Sequence, residues 1–327
     1  MASKIYPFGV GAPLDSSFKL ILIAEGFTEA ERDQFGVLCF DMVEALLETT
    51  PFNRTRVRPE WLTVIKVFSA SASSGPRIGS SSGHSTVLSS YVDTATNRLV
   101  IDHAGLAALL DAHVITTDVG SQKLADFYSS GGVFSGVTGG LVAVITPAIG
   151  SPADGADDHV QPATADQYHL VATTANGLWH QVVLRGIATA LGLADEYERA
   201  DAAYAAASDS SPELANAPNV VFSDTPPVLN SDFVAWQHVM SPVDWLSPAQ
   251  VHAHPANDLP NTTLPAAPYA DGNIAFWEGG AGFRRKAYRA AEDCLMRRAP
   301  GLGYLPARSQ AVAFCPVCIS HIRSAIG

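Results

Sequence analysis

Cysteine is scarce in this chain, at four positions in 327 residues, Cys39, Cys294, Cys315 and Cys318. That is too few for a disulfide scaffold in a chain of this length. Charge is also sparse, at 16% of residues against 47% hydrophobic, which excludes an extended disordered chain or a solvated repeat array. Basic residues are the scarcer sign: 20 Lys and Arg stand against 32 Asp and Glu, a formal charge of −12. No basic cluster stands out that could neutralise a phosphate backbone, so nucleic acid is not an expected partner. Long apolar runs are missing as well. The longest, around Leu20–Ala24 and Gly140–Thr146, are strand-length, far short of the about 18 to 20 residues of a bilayer-spanning helix. The opening residues lack the order of a classical export signal, which gives a cytoplasmic expectation for the chain as synthesised, with export by a non-classical route left open. No internal repeat is visible.

What is present reads as α/β. KLILIAEG is a continuous apolar run followed by Thr28 and Glu31, the spacing of a capping box, and a periodic segment to about Glu48. Trp61–Ser69 is a second β-branched run, so residues 19–69 predict strand, helix, strand in a sheet covered on both faces. Residues 70–85, SASSGPRIGSSSGHS in their core, have loop composition, and Ser80–Ser82 with His84 lack the strand-to-helix elbow of a serine nucleophile. Asp102–Asp111 reads as a helix, Gly139–Thr146 as a buried strand, Ser151–Asp166 as an acidic surface loop, and Tyr168–Thr174 as extended. The predicted class is a central, mostly parallel or mixed sheet flanked by helices. The expected organisation is a single domain over 1–327, with a core at 18–200, a Pro- and Asn-rich loop region at 200–272 and a C-terminal subregion at 273–327.

The segment Leu178–Leu191 carries the most information. Trp179, Val182, Val183, Gly186, Ile187, Ala190 and Leu191 recur at spacings of three and four and mark one buried face, with Gly192 as a C-cap. The opposite face carries His180, Gln181, Leu184, Arg185 and Ala188. In the tail, Cys315 and Cys318 form CPVC, with Cys294 upstream and His321 downstream. Such a set can hold a structural zinc, form a disulfide, or pack as small buried residues. A thioredoxin-type redox motif is disfavoured, because the tail lacks a β-α-β context.

LILIAEGFTEAERDQF, GLADEYE (192–198), PNVVFSD with the later Trp236, WEGGAGF, AYRAAEDCLMRR and AFCPVC resemble, in order, the landmarks of the bacterial IgA-peptidase family of zinc metallopeptidases. Residues 70–165 fall outside that resemblance. It implies a zincin-like fold with long loops, in which the helix before the LADEY-like turn carries His-Glu-x-x-His. Two His at i and i+4 bind one zinc ion and the Glu between them moves a proton to and from the metal-bound water. Aligning GLADEYE places Leu184 and Ala188 at the two His positions and Arg185 at the Glu position, so all three functional groups are absent. Asp195 remains as the counterpart of a third ligand.

The resemblance therefore implies a catalytically degenerate homologue, with no zinc favoured and a retained cleft offered by Arg185, Asp195, Glu196 and His180 to a protein or peptide partner or a larger assembly. Arg185 is expected to replace the lost zinc as counter-charge to Asp195 and Glu196. The cleft wall would include Trp277–Gly280 and Arg284–Arg285. Because the family is largely exported, the resemblance also implies a cross-link of Cys294 to one of the CPVC pair. Two enzymatic alternatives stand beside this reading. One is an active zinc peptidase with ligands relocated to His169, His180 and Asp195; the other is a metal-free enzyme using Arg185 and the carboxylates. His252 and His254, an i, i+2 pair, read as surface loop.

Overall fold

The computed structural model describes residues 17–53, 61–78, 83–93, 98–129, 140–147, 160–164, 167–174, 179–194, 217–222, 274–280, 283–291, 294–296 and 314–326. The chain divides into two compact units. One is Met1–Leu191 with Pro300–Leu302 and Ile326–Gly327, and the other is Gly192–Ala299 with Gly303–Ala325.

The first unit is an α/β unit around a five-stranded sheet. Its strands are β1 (Phe18–Ala24), β2 (Leu62–Val67), β8 (Gly140–Thr146), β9 (Val160–Thr164) and β10 (Gln167–Thr173), in the order β2-β1-β8-β10-β9. All neighbours pair in parallel except β9, which runs antiparallel to β10 at the edge. Every residue of β1 and β8 is buried, as expected for strands covered on both faces whose sequences are continuous apolar runs. Part of the expected 151–166 surface loop is thus β9. Its Pro162 sits where proline is tolerated, because an edge strand leaves one side of its N–H ladder unused.

Side-chain alternation separates the two faces. Ile21, Ile23, Ile65, Val67, Val142 and Val144 pack with Leu106 and Leu110 of helix α2 (His103–Ala112) and Phe127 and Tyr128 of α3 (Leu124–Ser129). The Asp102 carboxylate caps α2 by accepting from the Ala104 N–H at 3.0 Å. On the other face, α4 (Trp179–Ala190) lies on β8 and β10, close enough that a Cβ at Gly186 would stand 3.1 Å from Leu141 and 3.3 Å from Leu170. Helix α1 (Arg32–Glu48) lies beside α4 and sends Phe35, Met42 and Leu46 inward. A short 3-10 turn, Glu29–Glu31, precedes it, and the Thr28 N–H and hydroxyl both donate to the Glu31 carboxylate at 2.8 Å.

Small sheets complete this unit: β3 (Arg77–Ile78), β4 (Tyr91–Asp93) and β5 (Arg98–Val100) form one, and β6 (Val114–Thr117) with β7 (Gly120–Lys123) form a hairpin. In the second unit, β11 (Val220–Phe222), β12 (Ile274–Gly280) and β13 (Phe283–Ala291) form an antiparallel sheet in the order β11-β13-β12, and α5 (Pro316–Ile326) closes the chain. No helix among the described residues is long and apolar enough to cross a membrane.

Candidate functional site

Helix α4 is buried on both faces, as the apolar Leu184 and Ala188 opposite its main stripe suggest. Gly186 and its stripe face the sheet as the periodicity requires, and the opposite face is buried too: Leu184 and Arg185 are 1% exposed, Ala188 0% and Gln181 4%. Periodicity records only which residues are apolar. Leu184 and Ala188 are apolar on the second face because that face is also covered, and a guanidinium is enclosed with them. Arg185 therefore does not point to solvent, the arrangement that would have ruled it out as an internal counter-charge.

His180, at the first turn of α4, is half-buried and sits edge-on to Trp179 with ring centroids 6.1 Å apart. Burial lowers its pKa below the ordinary imidazole value, a shift that the negative charge of Asp41 on α1 partly opposes. Its imidazole is accordingly biased to the neutral form. His169 lies on β10 in register with Val142 of β8 and Gln161 of β9, one strand-length before α4. Asp195, Glu196, His252, His254 and Ser80–Ser82 lie outside the described residues. Trp277–Gly280 and Arg284–Arg285 fall on the paired strands β12 and β13.

The sheet order holds a feature that sequence reading missed. Chain connections leave β1 towards β2 on one side, while β8 and β10 build the other, so the switch point lies at the carboxyl ends of β1 and β8, where open α/β sheets commonly bind ligands. Here Glu25, fully buried, accepts from the backbone N–H of Leu88 at 2.8 Å and of Ser90 at 3.1 Å. Ser71 Oγ accepts from Gly26 and Val87, and Gly75 N–H donates to the Gly26 carbonyl at 2.7 Å. His84 Nε2 donates to the Gly75 carbonyl at 2.7 Å. The described parts of the Ser- and Gly-rich 70–90 segment are thus tied across the carboxyl end of β1. The only local signal was Glu25-Gly26 directly after an apolar strand, and the carboxylate's partners lie more than sixty residues away.

Within the second unit, segments distant in sequence meet. The Asn219 side chain, from PNVVFSD, accepts from the Ala194 N–H at 2.9 Å and donates to its carbonyl at 2.7 Å, gripping the start of the GLADEYE turn as a strand neighbour would. Val220–Phe222 then pair with β13, and β13 pairs with β12. Cys294 meets Cys315 and Cys318 at the N-terminus of α5. The cross-link expected of Cys294 is not formed, since its Sγ lies 3.7 Å from that of Cys318 and all three residues are thiols. Burial pushes the thiols of Cys294 and Cys318 well above the usual range.

Compared with models of known protein families, the chain matches none, and no curated protein matches it.

Proposed function

We propose that this chain is a catalytically inactive protein of the IgA-peptidase type, with a zincin-like fold, that holds a protein or peptide partner or serves as a structural component of an assembly. The observation that supports this reading is the enclosure of Leu184, Arg185 and Ala188 on α4. A zinc peptidase needs two imidazoles and a carboxylate at these positions, open to a metal-bound water and a substrate carbonyl. Two aliphatic side chains and a buried cation offer neither ligand nor base, and the cation repels a dication. A core of this size keeps its fold without the metal, so loss of the chemistry need not destroy the scaffold. In the same reading, the buried Arg185 supplies the positive charge that the lost zinc would have carried.

A second reading keeps a peptidase with ligands from His169, His180 and Asp195. The neutral imidazole of His180 favours it, because that is the form that binds a metal. The two separate in one experiment: incubation of purified chain with a fluorescently labelled unfolded protein, with and without added zinc, followed by both cleavage and anisotropy. Saturable binding with no cleavage supports the inactive binder. Cleavage that needs zinc and disappears in His180→Ala overturns it in favour of the relocated site.

A further inference from the structure

The three cysteines of the second unit form a cluster that no catalytic reading uses. Their Sγ atoms all lie within 4.8 Å of one another, and Cys294, Cys315 and Cys318 are each buried. Cys315 immediately precedes Pro316, the first residue of α5, and Cys318 lies in the first turn of that helix. The Cys315 backbone N–H donates to Cys294 Sγ at 3.2 Å.

We infer that Cys294, Cys315 and Cys318 together bind one thiophilic d10 metal ion, zinc in the first instance, as a structural site that fastens the end of α5 to the segment after β13. The spacing fits. Zinc–thiolate bonds of about 2.3 Å at a tetrahedral angle put sulfurs about 3.8 Å apart, and Cys294 and Cys318 are 3.7 Å apart. A disulfide would require closing that gap to about 2.05 Å and would leave a third buried thiol unused. The polar surroundings fit as well. An N–H directed at a ligand sulfur and the positive end of an 11-residue helix both stabilise thiolate charge, which three packed neutral thiols do not need.

Burial favours the thiol form of Cys294 and Cys318 in the absence of an ion, and metal binding draws out the thiolates. As three S–metal bonds form, three thiol protons leave to solvent, and three thiolates with one dication carry a net charge of −1. An all-sulfur donor set selects zinc or copper(I) over magnesium or calcium. His321, one turn beyond Cys318, does not belong to the sulfur group. Its Nε2 is directed towards Gly192, 3.5 Å from where a Cβ on that residue would stand. Among the described residues three thiolates make up the donor set, which satisfies copper(I) and leaves zinc one further position to fill.

The test uses the full chain, purified in reducing buffer without chelators. Elemental analysis is expected to find one equivalent of zinc or copper, retained in Cys39→Ser and in His180→Ala and lost in Cys294→Ser and Cys318→Ser. Stripping the metal from the wild-type chain is expected to lower its Tm. Cobalt(II) added to the stripped wild-type chain should give a thiolate-to-metal charge-transfer band in the near ultraviolet, a readout that needs no variant to fold. Failure of the wild-type chain to take up zinc, cobalt or copper(I) overturns the inference, as does a Cys294–Cys318 disulfide by peptide mass mapping. A zinc ion kept in Cys318→Ser but lost in His180→Ala overturns it too, and also the inactive-binder reading, whereas a failed cysteine site alone leaves that reading standing.

Discussion

Gly26 shows how much a single backbone position can hold. Its φ is +72°, and a Cβ there would stand 2.8 to 2.9 Å from the backbone of Gly75, with which Gly26 also shares a hydrogen bond. Substitution meets both the left-handed conformation and a backbone that cannot rotate away, so Gly26→Ala is expected to cost about 2 to 4 kcal/mol in urea unfolding. A control at Gly83, also of positive φ but with open space around it, should cost about 1 kcal/mol. His180 makes a pH-dependent contribution whose sign follows from burial. Its folded pKa lies below the unfolded value near 6.5, so the unfolded state takes up a proton first. Stability is unaffected by this group above that value, falls as pH drops below it, and levels off once the folded form also protonates. His180→Gln should remove that loss from a Tm series recorded between pH 8 and 5. Cys39, whose thiol burial pushes up to about 12 against the opposing charge of Lys66, is a thiol at neutral pH, which suits its use as a control.

At the scale of elements, α4 is held against the sheet by the absence of a side chain. Gly186 lets the helix approach Leu141 and Leu170, and a valine there would have to push the helix away from two branched side chains in a filled core. Gly186→Val is expected to destabilise by about 2 to 3 kcal/mol by chemical denaturation, a cost that comes from packing and not from helix propensity. The stripe that includes Gly186 was readable from spacing. The apolar character of Leu184 and Ala188 also pointed to cover on the opposite face, but a helical period does not say what supplies that cover or that a guanidinium is enclosed with them. The opening of α1 was readable from Thr28 and Glu31, whose hydrogen bonds close locally. Glu31 illustrates the limit of that reading: burial alone would raise its pKa, yet hydrogen bonds from Thr28 and from Ser74, forty-three residues on, bring it below the ordinary value.

For the molecule as a whole, a formal charge of −12 sets the partners it can approach. A polyanion gains no counterion release from such a surface, so no mobility shift with duplex DNA is expected at about 0.15 M salt, where the Debye length is about 8 Å. A shift would mean that basic residues are gathered on one surface in a way the linear sequence hides.

Sequence alone determined the elements whose causes are local. The apolar runs of β1, β2 and β8 mark buried strands, the run at Tyr168–Thr174 marks β10 as extended, the Thr28–Glu31 box marks the turn that leads into α1, and the three-four spacing marks the inner side of α4. The short hairpin β6–β7, half exposed and mostly polar, carried too weak a periodicity to be seen. The tertiary structure decided what depends on meetings across long stretches of chain. It buries Glu25 against amides sixty-three and sixty-five residues away, closes both sides of α4, and brings Cys294 to Cys318 across twenty-four positions. Local periodicity fixes which face of an element is apolar. Which groups finally share a site is fixed by the packing of elements on one another, and no window of sequence contains that information.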